Sequence, residues 1–323
     1  MALTIDDLYA SPDHYLHSFD GDAALFVPMD RVAYHRSIFL DGRIAPAGGG
    51  QMRLPVPMLT ARAPAPAPTA WIFHVAHCGS TLLARALDRP AGNLVLREPL
   101  ALRQVAIRRD PGRLAAVAAM LSKRYRPDAP TIVKANVPVN FLLPELIALD
   151  PQARAIFLHL PLADYLLSIL RSDNHRTWLR NVTTLLSAHL APVAGLGDAE
   201  RAAALWLAQM RAYAAAIARM PNARSLNAEH FFATPAETLR AAARHLGADL
   251  SDDEVRGVAA GPLFATYSKD PTVAFDNEAR LARRRALEGA LAAEIAAAGT
   301  WIASNGADAD RALAVIAQVS LVP

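Results

Sequence analysis

One stretch, Trp71 to Leu87 (WIFHVAHCGSTLLARAL), constrains the fold more than any other part of this 323-residue chain. Trp71 to Ala76 is short, apolar and β-prone. His77-Cys78-Gly79-Ser80-Thr81 is a turn of small residues, and Leu82 to Leu87 repeats apolar side chains at helical spacing. A buried strand that feeds a tight turn and then a helix aims several unpaired backbone N–H groups at one point, where the helix dipole adds partial positive charge. Ser80 and Thr81 add two hydroxyl donors. The stretch therefore predicts an anion site at the carboxyl end of a strand.

The rest of the chain alternates in the same way. Asn93–Leu96, Thr131–Ala135, Ala155–Leu160 and Arg224–Asn227 read as short apolar strands. Between and after them, helices are expected over Arg113–Tyr125, Val139–Leu149 (interrupted at Pro144), Leu162–Arg171 and Ala199–Arg219. Further helices follow over Pro235–Leu246, closed by Gly247, and over Glu278–Ala297 and Asp308–Val319. Such alternation argues for an α/β fold, a parallel sheet flanked by helices, with ligands bound beyond the carboxyl ends of the strands. Residues 1–54 are expected to form a small N-terminal cap with β-prone runs at Ala24–Val27 and Tyr34–Leu40 and a turn at Asp41-Gly42. Residues 55–70 read as an extended Pro/Ala-rich connector, and residues 71–323 as the main domain with a helical C-terminal part. No internal repeat is present.

Composition narrows the function classes. A hydrophobic content of 53% supplies a sizeable core. The formal charge is only +3 and no basic tract is interleaved with aromatics, so nucleic acid is not an expected partner. Arg283-Arg284-Arg285 fits a solvated helix face. One cysteine precludes an internal disulfide and fits a reducing compartment. The first residues lack the basic start and apolar stretch of a secretory signal, and no apolar run reaches the ~18 residues of a membrane span. A soluble, cytoplasmic protein is expected; a homo-oligomer is compatible with the sequence. Among 33 basic residues only Lys123, Lys134 and Lys269 are lysines, so a lysine marks a place that needs a compact ammonium.

Three chemistries compete for the turn. A Walker A loop needs Gly, four residues, then Gly-Lys-Ser/Thr; here the first position is His74, and Ser80 follows Gly79 directly. A cysteine-dependent phosphatase built on His77-Cys78 needs an arginine six positions after the cysteine. That position is Ala84, and Arg85 is rotated by ~100° on a helix. Metal binding by His74, His77 and Cys78 lacks a carboxylate or a second Cys/His pair at ligand spacing. His74 reads as a structural histidine and Cys78 as a buried thiol.

CGSTLL after an apolar strand, REP about twenty residues later, TIVKANVPVNF and AIFLHLPLADYLLS occur in that order. They are followed by SLNAEHFFATPAETLRAAARHLG and YSKDP. Over roughly Trp71 to Arg280 this succession resembles the bacterial sulfotransferases of the P-loop type. The resemblance implies a P-loop-type α/β fold and metal-free transfer of a sulfuryl group from 3′-phosphoadenosine 5′-phosphosulfate (PAPS) to a hydroxyl or amine of a small molecule. It implies donor binding by Cys78, Gly79, Ser80, Thr81 and Leu82, with Ser168 and Lys269 on the 3′-phosphate. It places Glu98 as general base, Lys134 against the transferring sulfonate, and His77 on the departing oxygen when protonated. Glu98 also admits a purely structural reading as a capping or salt-bridged residue, Arg97 a structural or substrate-contact one, and Asn140 an orienting one. The family's arginine eight residues before Ser168 is replaced by Leu160, with His159, Arg171, Lys269 or Arg280 as substitutes. Two alternatives follow: a non-catalytic relative that binds a nucleotide, another anion or a partner, and the cysteine-dependent phosphatase.

Overall fold

A computed structural model describes residues 3–89 and 91–322. Near the N-terminus, β1 (His14–Asp20), β2 (Ala23–Pro28) and β3 (Met52–Pro55) form an antiparallel sheet in that order. The main sheet contains β4 (Thr69–His74), β5 (Val95–Arg97), β6 (Thr131–Lys134), β7 (Ala155–His159) and β8 (Ala223–Asn227). All pair in parallel, in the order β5-β6-β4-β7-β8. A small hairpin, β9 (Thr266–Tyr267) and β10 (Asp270–Ala274), follows.

Every residue of β4 is buried, as a central strand covered on both faces requires. The chain leaves β4 toward β5 and β6 on one side and later returns to β7 and β8 on the other. The topological switch therefore lies at the carboxyl end of β4, where an open α/β sheet leaves a crevice. Both outer strands carry an extra partner. Leu40 bonds beside β5, its N–H donating to Arg97 O at 2.7 Å while its carbonyl accepts from Leu100 at 3.2 Å. Ser225 of β8 donates to Val319 O at 2.9 Å and accepts from Leu321 at 2.8 Å.

Several elements differ from expectation. Tyr34–Leu40 is not a strand: Asp30 caps a helix over Arg31–Arg36, its carboxylate accepting from Ala33 N. The connector is not extended throughout, since β3 ends at Pro55 and a short helix covers Val56–Thr60, with proline tolerated in its first turn. The helix expected at 113–125 begins at Pro111 behind the Asp110 cap and ends at Leu121, and a separate helix spans Leu100–Arg108. The helix at 278–297 is two, Asn277–Ala290 and Ala292–Asn305, bent by 76°. Helices at Asp173–Leu185 and Asp252–Ala259 were not anticipated. Among the described residues no single helix is long and apolar enough to cross a membrane. Pro235–Leu246 ends at Gly247 in the left-handed conformation, as expected.

Arg97 ties the N-terminal region to the sheet. Its guanidinium, about 1% exposed, donates to Asp88 Oδ2 at 2.6 Å, to Tyr34 O at 2.6 Å and to Ser37 O at 2.6 Å. Burial alone would raise the Asp88 pKa, but His35, Arg97 and Arg31 hold it well below the usual carboxylate range. Arg97 is therefore structural. Removing one member of so buried a pair leaves the other uncompensated, so Arg97→Ala is expected to cost about 3–5 kcal/mol in urea unfolding. Arg97→Lys should recover only part of that loss, because an ammonium cannot reproduce the planar fork.

Candidate active site

The Val75–Gly79 turn leaves β4 with two residues in the left-handed region, His77 (φ +59°) and Gly79 (φ +83°). Gly79 is required twice over: its backbone disfavours any side chain, and a Cβ would stand 2.7 Å from Phe232 Cζ. The helix Ser80–Leu87 follows immediately, so its first amides lack intrahelical acceptors. Thr81 Oγ1 and His77 Nδ1 are buried and, among the described residues, have no hydrogen-bond partner. A buried hydroxyl left unpaired costs ~1–3 kcal/mol, which an anionic ligand accepting from it would recover. The loop residues Cys78, Gly79, Ser80, Thr81 and Leu82 all line one cavity of about 950 Å³.

Cys78 is no nucleophile here. Burial pushes its thiol up to about 11, and Sγ donates to Val75 O at 2.9 Å. A buried thiol bonded to Val75 O and shifted upward is poorly suited to act as a nucleophile, so nothing at Cys78 favours the phosphatase alternative. His77 lies against His175 in a tilted contact, 4.2 Å between ring centres, and meets Trp178 edge-on at 5.6 Å. Burial, with Lys269 and His175 close by, holds the His77 ring neutral. A neutral ring donates one N–H and carries no charge, whereas the role expected of His77 needs the second proton.

Glu98 and Lys134 come together on the same cavity. The strand order sets β5 beside β6, with Arg97 level with Lys134, and Glu98 N donates to Lys134 O at 2.8 Å. The Glu98 backbone is left-handed (φ +56°), which turns its side chain back over β6 into a close ion pair with the Lys134 ammonium. Burial would raise the Glu98 pKa, but Lys134 and His74 hold it down to about 2. Burial lowers the Lys134 pKa while Glu98 opposes the shift. His74 sets Nδ1 at 2.8 Å from Val75 O and Nε2 at 2.8 Å from Ala135 O; burial and Lys134 bring its pKa to about 3, so the ring donates to only one of the two carbonyls. It is a neutral, structural ring. Asn140 is fully buried and donates to His74 O at 3.1 Å and Gln209 Oε1 at 2.9 Å, so it pins the end of β4.

The other end of the cavity carries the departures noted in sequence. Leu160 is about 2% exposed at the arginine position, its carbonyl accepting from Trp206 Nε1 at 2.9 Å. Ser168 lines the cavity but its Oγ donates back to Asp164 O at 3.0 Å. Lys269, at the β9–β10 turn, lines the cavity without an ion-pair partner among the described residues, and burial lowers its pKa. Arg280 pairs with both oxygens of Glu229 at 2.8 and 2.9 Å, while Arg284 bridges Glu229 (3.1 Å) and Asp164. Arg171 reaches His175 Nε2 and Tyr267 Oη at the rim. His159 is not among the cavity-lining residues.

Sequence reasoning missed Phe39, Asp41, Trp178, Phe232 and Arg284, all of which line the cavity. Phe232 lies inside the HFFATP segment and Arg284 stands four residues after Arg280, a spacing masked by an arginine-rich background. Phe39 and Asp41 belong to the N-terminal region, for which no local signal pointed to the site.

No family model matches the chain, and no curated protein matches it. Two solved structures do. A sulfotransferase from Alicyclobacillus acidocaldarius is 16% identical with a TM-score of 0.40, over 73% of this chain and 96% of that one. The sulfotransferase domain from the curacin biosynthetic pathway is 11% identical with a TM-score of 0.40, over 65% and 84% respectively.

Gly79→Ala is expected to lower the unfolding free energy by about 1 kcal/mol or more in urea titration, because strain at positive φ and the clash with Phe232 add. Glu98 has a depressed pKa, so its stabilisation is complete above its ordinary value of 4.5 and is lost as pH falls through about 2. Glu98→Gln should therefore be less stable than the parent at pH 7, with the gap in thermal midpoint closing as pH drops from 4.5 toward 2.

Proposed function

We propose that this chain transfers a sulfuryl group from PAPS to a hydroxyl or amine of a small molecule. One observation carries the reading. The Gly79–Leu82 turn with its unpartnered Thr81 hydroxyl opens on the same cavity as the buried Lys134–Glu98 pair. Electrostatics support it, since eight Arg/Lys against five Asp/Glu line the cavity, a balance suited to a polyanion.

In this reading the turn amides with Ser80 and Thr81 hold the phosphosulfate, and Lys269 and Ser168 serve the 3′-phosphate end. Arg280 and Arg284 can assist there only by leaving Glu229 and Asp164. Lys134 supplies fixed positive charge to the sulfonate oxygens, where pre-placed charge lowers the barrier. Glu98 takes the acceptor's proton as the acceptor oxygen or nitrogen bonds to sulfur and the bond from sulfur to the phosphate oxygen breaks. Tied to Lys134 and ionised down to about 2, Glu98 is a weak base on its own. Sharing the ammonium with an incoming sulfonate raises its proton affinity where and when it is needed. His77, neutral, offers an N–H to the departing oxygen. No metal takes part in this scheme.

The desulfonated donor, adenosine 3′,5′-bisphosphate, is expected to bind by calorimetry and, at a hundredfold excess over its Kd, to stabilise the protein by about 2.7 kcal/mol. Lys134→Ala should keep that shift and lose about 10²–10³ in turnover. No bisphosphate binding would overturn the proposal. Leu160, apolar and buried where the arginine is expected, favours the non-catalytic relative as second reading. A thermal shift with another nucleotide, and none with the bisphosphate, would select it.

A further inference from the structure

Residues 39–43 run beside the strand end that carries Glu98. Leu40 N donates to Arg97 O at 2.7 Å, and Leu40 O accepts from Leu100 N at 3.2 Å. Phe39 and Asp41, on either side of that link, line the cavity, and so does Arg43. The Arg43 guanidinium lies 3.8 Å over the Phe39 ring, and the Lys134 ammonium stands 5.9 Å from the same ring. Asp41 foremost, and Glu98 with it, favour the charged form of Arg43, so the two ion pairs share one field. This corner precedes Trp71 and lies outside the stretch that resembles sulfotransferases. It is a feature of this chain alone.

The corner holds more donors than it uses. Asp41 gives both oxygens to Arg43, accepting from Nε at 2.9 Å and from Nη2 at 2.6 Å. Nη1 stays unbonded among the described residues, on a side chain 59% exposed. Arg103 N donates to Pro99 O at 3.2 Å, which sets Arg103 in the first turn of helix after Glu98. Its side chain lines the cavity without a partner among the described residues. Asn136, two residues beyond Lys134, also lines the cavity and is only 8% exposed. Its carboxamide makes no hydrogen bond among the described residues, a state that a ligand in the cavity would relieve.

Charge sorts the ligands that fit. Lys134 matches Glu98 and Arg43 matches Asp41, so the Arg103 guanidinium is left over. An ammonium would find both carboxylates taken and would meet like charge. A carboxylate finds guanidinium N–H groups and an amide N–H instead. The transferring sulfonate is itself anionic, so an anionic acceptor can approach it only where further cations offset the repulsion. Arg43 and Arg103 are such cations.

We infer that Arg43, Arg103 and Asn136 form an anion-reading corner beside Glu98, and that the acceptor is a hydroxy acid. Its hydroxyl lies at Glu98 and its carboxylate is held by the corner. The inference rests on the sulfuryl-transfer reading for the role of Glu98, but anion recognition by the two arginines is testable apart from it.

The test is calorimetric titration at pH 7 with 4-hydroxybenzoate, 4-hydroxybenzamide and 4-hydroxybenzylamine, which are anionic, neutral and cationic on one frame. Saturating adenosine bisphosphate keeps the 79–82 turn filled. 4-Hydroxybenzoate is expected to bind about tenfold more tightly than the amide, with the amine weakest. Arg43→Gln and Arg103→Gln should each remove most of that preference, leaving the amide and the bisphosphate Kd unchanged. Asp41→Asn releases Arg43 and should tighten 4-hydroxybenzoate severalfold, a gain that a mere structural disturbance would not produce. Equal binding of the three compounds, no binding at all, indifference to both arginine substitutions, or weaker anion binding in Asp41→Asn overturns the inference. An anion preference that depends on Arg43 and Arg103, in a protein that fails to bind the bisphosphate, upholds the corner and sinks the donor assignment instead.

Discussion

An ammonium with no exposed surface, at the end of a strand one removed from the sheet edge, is the constraint the rest of the site obeys. Lys134 cannot stay charged in that position without a carboxylate against it, since burying an isolated ion costs several kcal/mol. Glu98 meets that need only by adopting a left-handed backbone, a conformation worth ~1–3 kcal/mol of strain for a residue with a side chain. The ion pair holds the bend, and the bend keeps the carboxylate at the mouth of the sheet.

Arg97, Glu98 and Pro99 divide the labour of a single strand end. Arg97, the last residue of β5, turns toward the carbonyls of Tyr34, His35, Ser37 and Ile38, while the left-handed backbone of Glu98 turns the next side chain into the cavity. The N-terminal region is thereby part of the site's wall. The guanidinium that fixes residues 34–38 also sets Phe39 and Asp41 on the cavity, with Arg43 over the Phe39 ring at 3.8 Å.

What could be read from the sequence follows the range of the forces involved. The strand–turn–helix at 71–87, the parallel strands at 131, 155 and 224 and the Gly247 stop are local, set by apolar runs and one left-handed residue. Helix Asp173–Leu185 (DNHRTWLRNVTTL) is rich in poor helix formers and was invisible to propensity; packing of Leu179 and Val182 makes it. Asp30 and Asp110 cap helices in segments where the apolar pattern alone reads as strand or as a later helix start. The bend after Ala290 falls in an alanine-rich stretch whose helical pattern continues through it, with Gly289 as the one local break. The Glu98–Lys134 pair spans 36 residues of chain and exists only because β5 lies beside β6, an order no local pattern encodes. The candidate residues could thus be named, but not that two of them neutralise each other.

The outer strands of the main sheet have a consequence for how copies of this chain can meet. With Leu40 bonded alongside β5 and the 319–321 tail alongside β8, the margins offer few bare amides for a foreign strand to extend. Self-association by continuous sheet is discouraged at both sides, and apolar segments such as AIFLHL are kept from templating fibrils. Contact between copies across the main sheet is thus left to side chains rather than to backbone pairing.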